Sequence, residues 1–409
     1  MKPSIIHFLA TALTTFSVTI STANHFHYGI ESVNQKLIKK MCSKTDPRIG
    51  LVTNQTGIVH NGVKSVDFLK TQGITVSVIF APEHGYWGVV PAGKDVASTV
   101  KPNLGIPVVS LYAHGAGKKI TAQQMDLVDI LIFDIQDVGM RHFTYISLLY
   151  KVMEAAKTFD KPLIVCDRPN PLGGLMEGPL VEPSLISFIS IAPVPLRHGM
   201  TIGELALYFN RYQMNNSVSL HVAKMKKYKR APLESLHAPL SPNIKTIESV
   251  RGYSFLGLVG EIAPFDVGIS SDTPFEILGL QTSEPQATLF LENIKKEFDK
   301  VGLASSMISY LADRNGKTYT GLKFDFSKPT PVSTIQSLIY IIQKAVEAKL
   351  KISFSASFDK AFGNSLLKKQ YESVSIASFA LLQEPLAIFY KKAKATFLYK
   401  PYPFIKTLN

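Results

Sequence analysis

The chain has 409 residues, 46% of them hydrophobic and 18% charged, with a formal net charge of +13. That mix excludes an intrinsically disordered chain, which cannot bury enough apolar surface to offset its ordering entropy, and a multi-span membrane protein. Two cysteines exclude a disulfide-stapled scaffold and a cysteine zinc centre, and the length suits two domains that each bury a core.

The first residues read as a targeting segment. Lys2 supplies a positive start, Ile5 to Ile20 is apolar and uncharged, and Ser21-Thr22-Ala23 offers the small residues a signal peptidase reads. A signal peptide over 1–23 is therefore expected, with export to a bacterial periplasm or beyond and no stable membrane span once it is cleaved. No later stretch is long and apolar enough to span a bilayer. The positive charge favours loose attraction to anionic envelope surfaces. No basic motif interleaved with aromatics argues for nucleic acid.

Short apolar runs then alternate with amphipathic stretches. Ile49 to Thr53, Thr75 to Phe80, Pro107 to Leu111, Ile130 to Asp134 and Leu163 to Asp167 read as buried strands. They are continuous runs, as expected where helices cover both faces of a sheet. Ile146, Leu149, Tyr150 and Met153 recur on one helical face, and Thr201-Ile202-Gly203-Glu204 matches a capping box. Strand and helix in alternation predict an α/β fold with a mostly parallel, doubly wound sheet. Beyond Ala238-Pro239-Leu240-Ser241-Pro242-Asn243 the character changes, with a helix over Ser333 to Lys349 and strand-like runs at Gly321 to Phe326 and Lys351 to Phe354. The expected division is 24–240 for the larger domain and 241–409 for a smaller α+β domain, with a substrate cleft between them.

Three strands end in polar clusters: Pro82-Glu83-His84-Gly85, Asp134 to Gly139, and Asp167-Arg168-Pro169-Asn170. Ligands of open α/β sheets bind outside the carboxyl ends of strands, so three acid-bearing ends on one rim mark a site. Other motifs fail. Gly88 to Asp95 nearly spells a phosphate loop but ends in Asp95 where Ser or Thr must ligate magnesium. The chain has no dinucleotide fingerprint after the first strand, no nucleophile elbow and no H-E-x-x-H helix. His84, His114, His142 and His198 would have to converge in space to hold a metal, and neither metal nor cofactor is expected.

Carboxylate chemistry remains. Glycoside cleavage needs a protonated acid at the leaving oxygen and often a second carboxylate as nucleophile or base. Glu83 ends a strand beside His84 and near Tyr86 and Trp87, aromatic company that suits a sugar ring. Glu177, in the loop after Gly173-Gly174, is the chosen partner, and Asp137 the next choice.

These clusters resemble a family of secreted bacterial exo-β-N-acetylmuramidases of the NamZ type. The matching stretches are Gly50 to Gly57, Pro82 to Gly85, Phe133 to Gly139 with Arg141, Thr144 and Tyr145, Asp167 to Pro171, and Glu177-Gly178-Pro179. They continue through Pro195 to Leu205, Ser241-Pro242-Asn243, Pro274-Phe275-Glu276, Phe358-Asp359-Lys360 with Gly363-Asn364, and Leu398-Tyr399. The resemblance implies a Rossmann-like domain joined to a smaller one, an active site in the cleft between them, and release of N-acetylmuramic acid from non-reducing ends of peptidoglycan fragments. It implies a catalytic glutamate in Pro-Glu-His-Gly, here Glu83, and no nucleotide or metal. Asn54, His84, Trp87, Asp137, Arg141, Tyr145, Asp167, Arg168, Asn170, Arg197, His198 and Glu276 lie in or beside the matched motifs and are the candidate substrate contacts.

Two departures stand out. The family follows Glu-His-Gly with an aromatic-Arg-Gly run, where this chain has Tyr86-Trp87-Gly88. It carries an arginine-bearing run before Pro-Phe-Glu, where Phe265 to Asp272 has none. A planar guanidinium suits the lactyl carboxylate that distinguishes muramic acid from glucosamine. The alternative is therefore a catalytically weak saccharide- or wall-binding protein that kept the cleft. An ester or amide hydrolase lacks a recognisable nucleophile.

Overall fold

The computed structural model describes residues 26–400 apart from 92, 95–98, 101–104, 113–119, 270, 284–285, 313–314, 330–331 and 373–382. The expected signal peptide over 1–23 lies outside the described residues. Strands run in chain order as β1 (Ile49–Thr53), β2 (Val76–Ala81), β3 (Thr99–Val100), β4 (Pro107–Ser110), β5 (Ile130–Asp134), β6 (Leu163–Cys166), β7 (Glu177–Leu180), β8 (Pro195–Arg197) and β9 (Leu220–Ala223).

One seven-stranded sheet has the order β3-β4-β2-β1-β5-β6-β9. Every pairing in it is parallel except that of the two-residue edge strand β3 with β4. Counting only the parallel strands, the order is 3-2-1-4-5-6, the doubly wound order of Rossmann-type folds. All five strands expected from the apolar runs are present. β9 escapes a periodicity reading because it is only four residues, Leu220-His221-Val222-Ala223, with a histidine inside.

The runs are continuous because each strand feeds two cores. Ile130 and Ile132 pack into one, Leu131 and Phe133 into the other. One face is closed by the segment from Tyr28 to Val33 and by helices Gln35–Met41 and Ser65–Thr71. The other is closed by helices Tyr145–Thr158 and Ile202–Tyr212 and by the C-terminal half. Each aliphatic side chain so buried contributes about 1.5–3 kcal/mol relative to exposure. The helix beginning at Ile202 opens on the expected capping box, with Thr201 Oγ1 accepting from Glu204 N and Glu204 Oε2 from Thr201 N.

The C-terminal half adds β10 (Ile262–Ala263), β11 (Ile277–Gln281), β12 (Ser305–Ala312), β13 (Lys317–Phe324) and β14 (Ser353–Phe354). β11, β13 and β12 form an antiparallel sheet in that order, backed by helix Ala287–Lys300, on which helix Thr334–Glu347 packs in turn. A single apolar cluster runs from Val52 on the parallel sheet through Phe324 to Ala393. The segment around Ala238 is clamped to the sheet's carboxyl rim: Gln55 Nε2 donates to Pro239 O and Leu240 O, at 3.0 and 2.9 Å. Cys42 and Cys166 are buried and unbridged. Among the described residues, no helix is long and apolar enough to cross a membrane.

Candidate active site

The strand order reverses between β1 and β5, and their carboxyl ends carry Asn54 and Asp137. This is the switch-point crevice where open α/β sheets bind ligands. Asn54 is buried; its Oδ1 accepts from Thr56 N and Thr56 Oγ1 at 2.9 and 2.6 Å. Asp137 is also buried, and its Oδ2 accepts from Gly139 N at 2.7 Å and from His198 Nε2 at 3.0 Å. Met200 N donates to His198 Nδ1 at 3.2 Å, so the ring is the Nε2–H tautomer aimed at the aspartate. Asp137 Oδ1 and Asn54 Nδ2 are buried and unpaired by protein hydrogen bonds. Gly139 is required here: its φ is +97°, and a Cβ would lie 2.3 Å from Asn170 Oδ1.

Glu83 follows β2 on the same rim and is partly buried. Its Oε2 accepts from Thr144 Oγ1 at 2.7 Å and its Oε1 from Gly93 N at 3.1 Å. The turn is tight: His84 adopts a left-handed backbone, φ +66°, and its Nδ1–H donates to Val90 O at 2.7 Å. Trp87 is 42% exposed and packs edge-on against buried Tyr86, ring centroids 4.8 Å apart.

Two tyrosines feel the charge of both carboxylates. Tyr145 is fully buried, with its hydroxyl donating to Leu240 O at 3.3 Å. Burial raises its pKa, with the charges of Glu83 and Asp137 reinforcing the shift and the neighbouring amides of Asn54 and Gln55 opposing it. Tyr253, from helix Ile247–Leu256, is pushed well above the ordinary phenol value by burial and by Glu261, Asp137 and Glu83. Both phenols therefore feel Glu83 and Asp137 together, and both stay protonated as donors. Tyr253 lies tilted against His142, ring centroids 4.7 Å apart; the His142 ring nitrogens are buried without a hydrogen-bond partner, and burial lowers its pKa to about 3, with Arg141 adding to the effect.

Sequence reasoning had no signal for Tyr253, which reaches the rim from the C-terminal half. Thr144 stood in a matched motif, but its bond to Glu83 was not legible there. Glu276 follows Phe275, a left-handed residue at φ +66° whose ring meets Tyr253 at 4.9 Å. Burial raises the Glu276 carboxyl, with Lys323 opposing.

The remaining sequence candidates frame the site. Arg168 forms a buried pair with Asp134 through Nε and an Nη, at 2.7 and 2.8 Å. Asp167 accepts from Arg168 N, Gly203 N, Thr201 Oγ1 and Tyr399 OH; burial and Glu204 raise its pKa to about 7. Asn170 donates to Met200 O and accepts from Leu172 N. Arg141 is fully buried and donates to Ser190 Oγ and to the carbonyls of Pro179, Val194, Ala361 and Phe362; burial lowers its pKa to about 9. Glu177 pairs with Arg197 at 3.2 Å across the antiparallel strands β7 and β8, and Arg197 also donates to Leu172 O. Glu177 is thus held by a cation, whereas Asp137 is held by His198 Nε2 and Gly139 N and keeps one buried oxygen unpaired.

The histidines that come together are not among the four considered from the sequence. His114 lies outside the described residues, while His27, Glu31 and His60 bring one ligand atom each within 4.8 Å of the others.

Residues 49–248 match the family model described as the N-terminal part of the exo-β-N-acetylmuramidase NamZ. The chain is 36% identical over 357 residues to the peptidoglycan β-N-acetylmuramidase NamZ of Bacillus subtilis (strain 168), covering 84% of each chain. It is similar to the crystal structure of a DUF1343 family protein from Bacteroides fragilis, with a TM-score of 0.78 and 28% identity, covering 92% of this chain and 100% of the other. A second DUF1343 protein from that organism shares the fold at a TM-score of 0.71 and 24% identity, covering 92% of this chain and 99% of its own. With the sheet order, the glutamate at the end of β2 and this identity along most of its length, the chain belongs to the NamZ family of exo-β-N-acetylmuramidases.

Proposed function

We propose that the protein is an exo-acting glycoside hydrolase that releases N-acetylmuramic acid, or a related amino sugar, from the non-reducing ends of peptidoglycan fragments. The observation that carries the reading is the placement of Glu83 at the carboxyl rim of the parallel sheet, its two carboxyl oxygens held by Thr144 Oγ1 and Gly93 N.

Glu83 is the acid that protonates the leaving glycosidic oxygen. Its two donors, Thr144 Oγ1 and Gly93 N, fix the carboxyl plane. Asp137 is the second carboxylate, its ring partner His198 held in one tautomer by Met200 N. The Asp137 carboxylate stabilises the oxocarbenium-like charge that develops at the anomeric carbon, where water adds to form the new C–O bond and gives its proton back to the Glu83 carboxylate. Asn54 Nδ2 and the phenol of Tyr253 supply donors for sugar hydroxyls or the acetamido group, and Trp87 offers an aromatic face to the ring. Export belongs to the same proposal, supported by Lys2, the apolar stretch Ile5 to Ile20 and Ser21-Thr22-Ala23.

The test uses the purified chain and a chromogenic β-N-acetylmuramide. Wild type is expected to turn it over, and Glu83→Gln to lose about 100- to 10,000-fold in kcat with an unchanged circular dichroism spectrum. Near-normal turnover by a folded Glu83→Gln chain would remove Glu83 from the chemistry. Saccharide binding without wild-type turnover would favour the binding-protein reading.

A further inference from the structure

A cavity of about 560 Å³ opens on the sheet rim and is lined by Phe26, Tyr28, His60, Gln136, Arg168 and Tyr228, among others. At its edge two imidazoles aim at one carboxylate oxygen. His27 Nδ1 lies 3.0 Å from Glu31 Oε1, and His60 Nδ1 lies 2.5 Å from the same atom. The two rings meet edge-on, centroids 4.7 Å apart. None of the three residues takes part in the chemistry described above.

We infer that His27, Glu31 and His60 form a binding site for a divalent metal ion of the zinc class at the rim of this cavity. Two imidazole nitrogens and one carboxylate oxygen are the donor set such an ion takes. Metal–ligand bonds of about 2.0–2.1 Å in a tetrahedron place ligand atoms roughly 3.3–3.5 Å apart. The three atoms, mutually within 4.8 Å, reach that spacing by small side-chain rotations.

The backbone already holds the ligands in place. Glu31 Oε2 accepts from Tyr28 N at 2.7 Å, which orients the carboxylate and leaves Oε1 toward the histidines. His27 exchanges two 3.0 Å backbone hydrogen bonds with Lys226. His60 sits in the tight turn closed by Gly62 N donating to Val59 O. The histidine side chains are 37% and 35% exposed and that of Glu31 is 10% exposed, so an ion has access while the carboxylate is partly desolvated. Arg168, a buried cation lining the same cavity, is paired with Asp134. Three protein ligands leave a fourth position for water or for a donor group of a molecule in the cavity.

Bound metal would tie the segment before Gly29 to the loop after β1. The test is calorimetric titration of Zn²⁺ alone into tag-free, chelator-treated protein, with Co²⁺ absorption as a second probe and Tm with and without Zn²⁺. Wild type is expected to take up one equivalent, to show a tetrahedral Co²⁺ spectrum and to gain Tm. His60→Ala and His27→Ala are expected to weaken binding about tenfold or more and to lose the Tm gain. Glu31 also caps its turn, so the histidine variants carry the test. The inference is overturned if wild type takes up no stoichiometric Zn²⁺, or if both folded histidine variants bind it as wild type does. Neither outcome bears on Glu83, because no readout is turnover.

Discussion

Thr144 Oγ1 donates a 2.7 Å hydrogen bond to Glu83 Oε2 from the position just before helix Tyr145–Thr158, and it makes no capping bond to that helix. Its hydroxyl therefore serves the glutamate and not the helix end. Thr144→Val is expected to lower kcat/KM by about 2- to 12-fold, the worth of one hydrogen bond that positions a neutral acid, with little change in Tm. Thr144→Ser keeps the hydroxyl and should restore most of the activity. Equal losses in both variants would mean that the methyl group matters and the bond does not.

The two carboxylates weighed as partners for Glu83 sit in different company. Glu177 faces Arg197, both side chains about one-tenth exposed, while Asp137 faces His198 and keeps a buried oxygen with no protein partner. Asp137→Asn is expected to lose at least about 100-fold in kcat while remaining folded. Glu177→Ala leaves Arg197 without its counter-ion and is expected to act on stability instead, by up to about 3–5 kcal/mol for a buried pair. Turnover and urea midpoints for both variants check this. A stable Glu177→Ala chain with collapsed kcat would return the second role to Glu177.

The sheet was legible because parallel strands buried on both faces need unbroken apolar runs, as in Ile130-Leu131-Ile132-Phe133. The rim was legible because Glu83 and Asp137 each follow such a run directly. The role of Arg141 was not legible: an arginine beside a motif looks like an anion binder, yet this one spans carbonyls from Pro179 to Phe362. Pairings between distant segments decide such roles, and they leave no periodic trace. Tyr253 and the trio His27, Glu31 and His60 were missed for the same reason.

His142 gives the protein a defined weakness in acid. Burial, with Arg141 adding to it, holds its folded-state pKa at about 3, below the ordinary 6.5. Between those values the unfolded chain takes up a proton that the folded chain refuses. The contribution is intact above pH 6.5 and is lost progressively as pH falls toward 3. His142→Phe keeps an aromatic ring against Tyr253 and removes the titrating group. Its stability is expected to fall less than that of wild type between pH 7 and pH 4, measured by urea unfolding at each pH. Parallel curves would show that His142 is not the group responsible.

Selectivity for the lactyl group turns on cations that this chain lacks where the family resemblance expects them. Trp87 stands at one such position, and Phe265 to Asp272 contains no arginine. The arginines nearest the matched motifs are engaged. Arg141 donates to one hydroxyl and four carbonyls, Arg168 to Asp134 and Ile58 O, and Arg197 to Glu177 and Leu172 O. Drawing one of them to a substrate would leave buried acceptors unpaired, at about 1–3 kcal/mol each. Trp87, by contrast, is exposed beside Glu83 and offers a stacking face that does not distinguish muramide from glucosaminide. A charge-assisted pair worth about 1.5–3 kcal/mol is therefore missing from the muramide complex, a factor of roughly 10 to 150 in preference. The expected outcome is a modest ratio of kcat/KM for β-muramide over β-glucosaminide in wild type, rising by at least about tenfold in Trp87→Arg. A strong wild-type preference that Trp87→Arg leaves unchanged would mean that position 87 does not read the lactyl carboxylate.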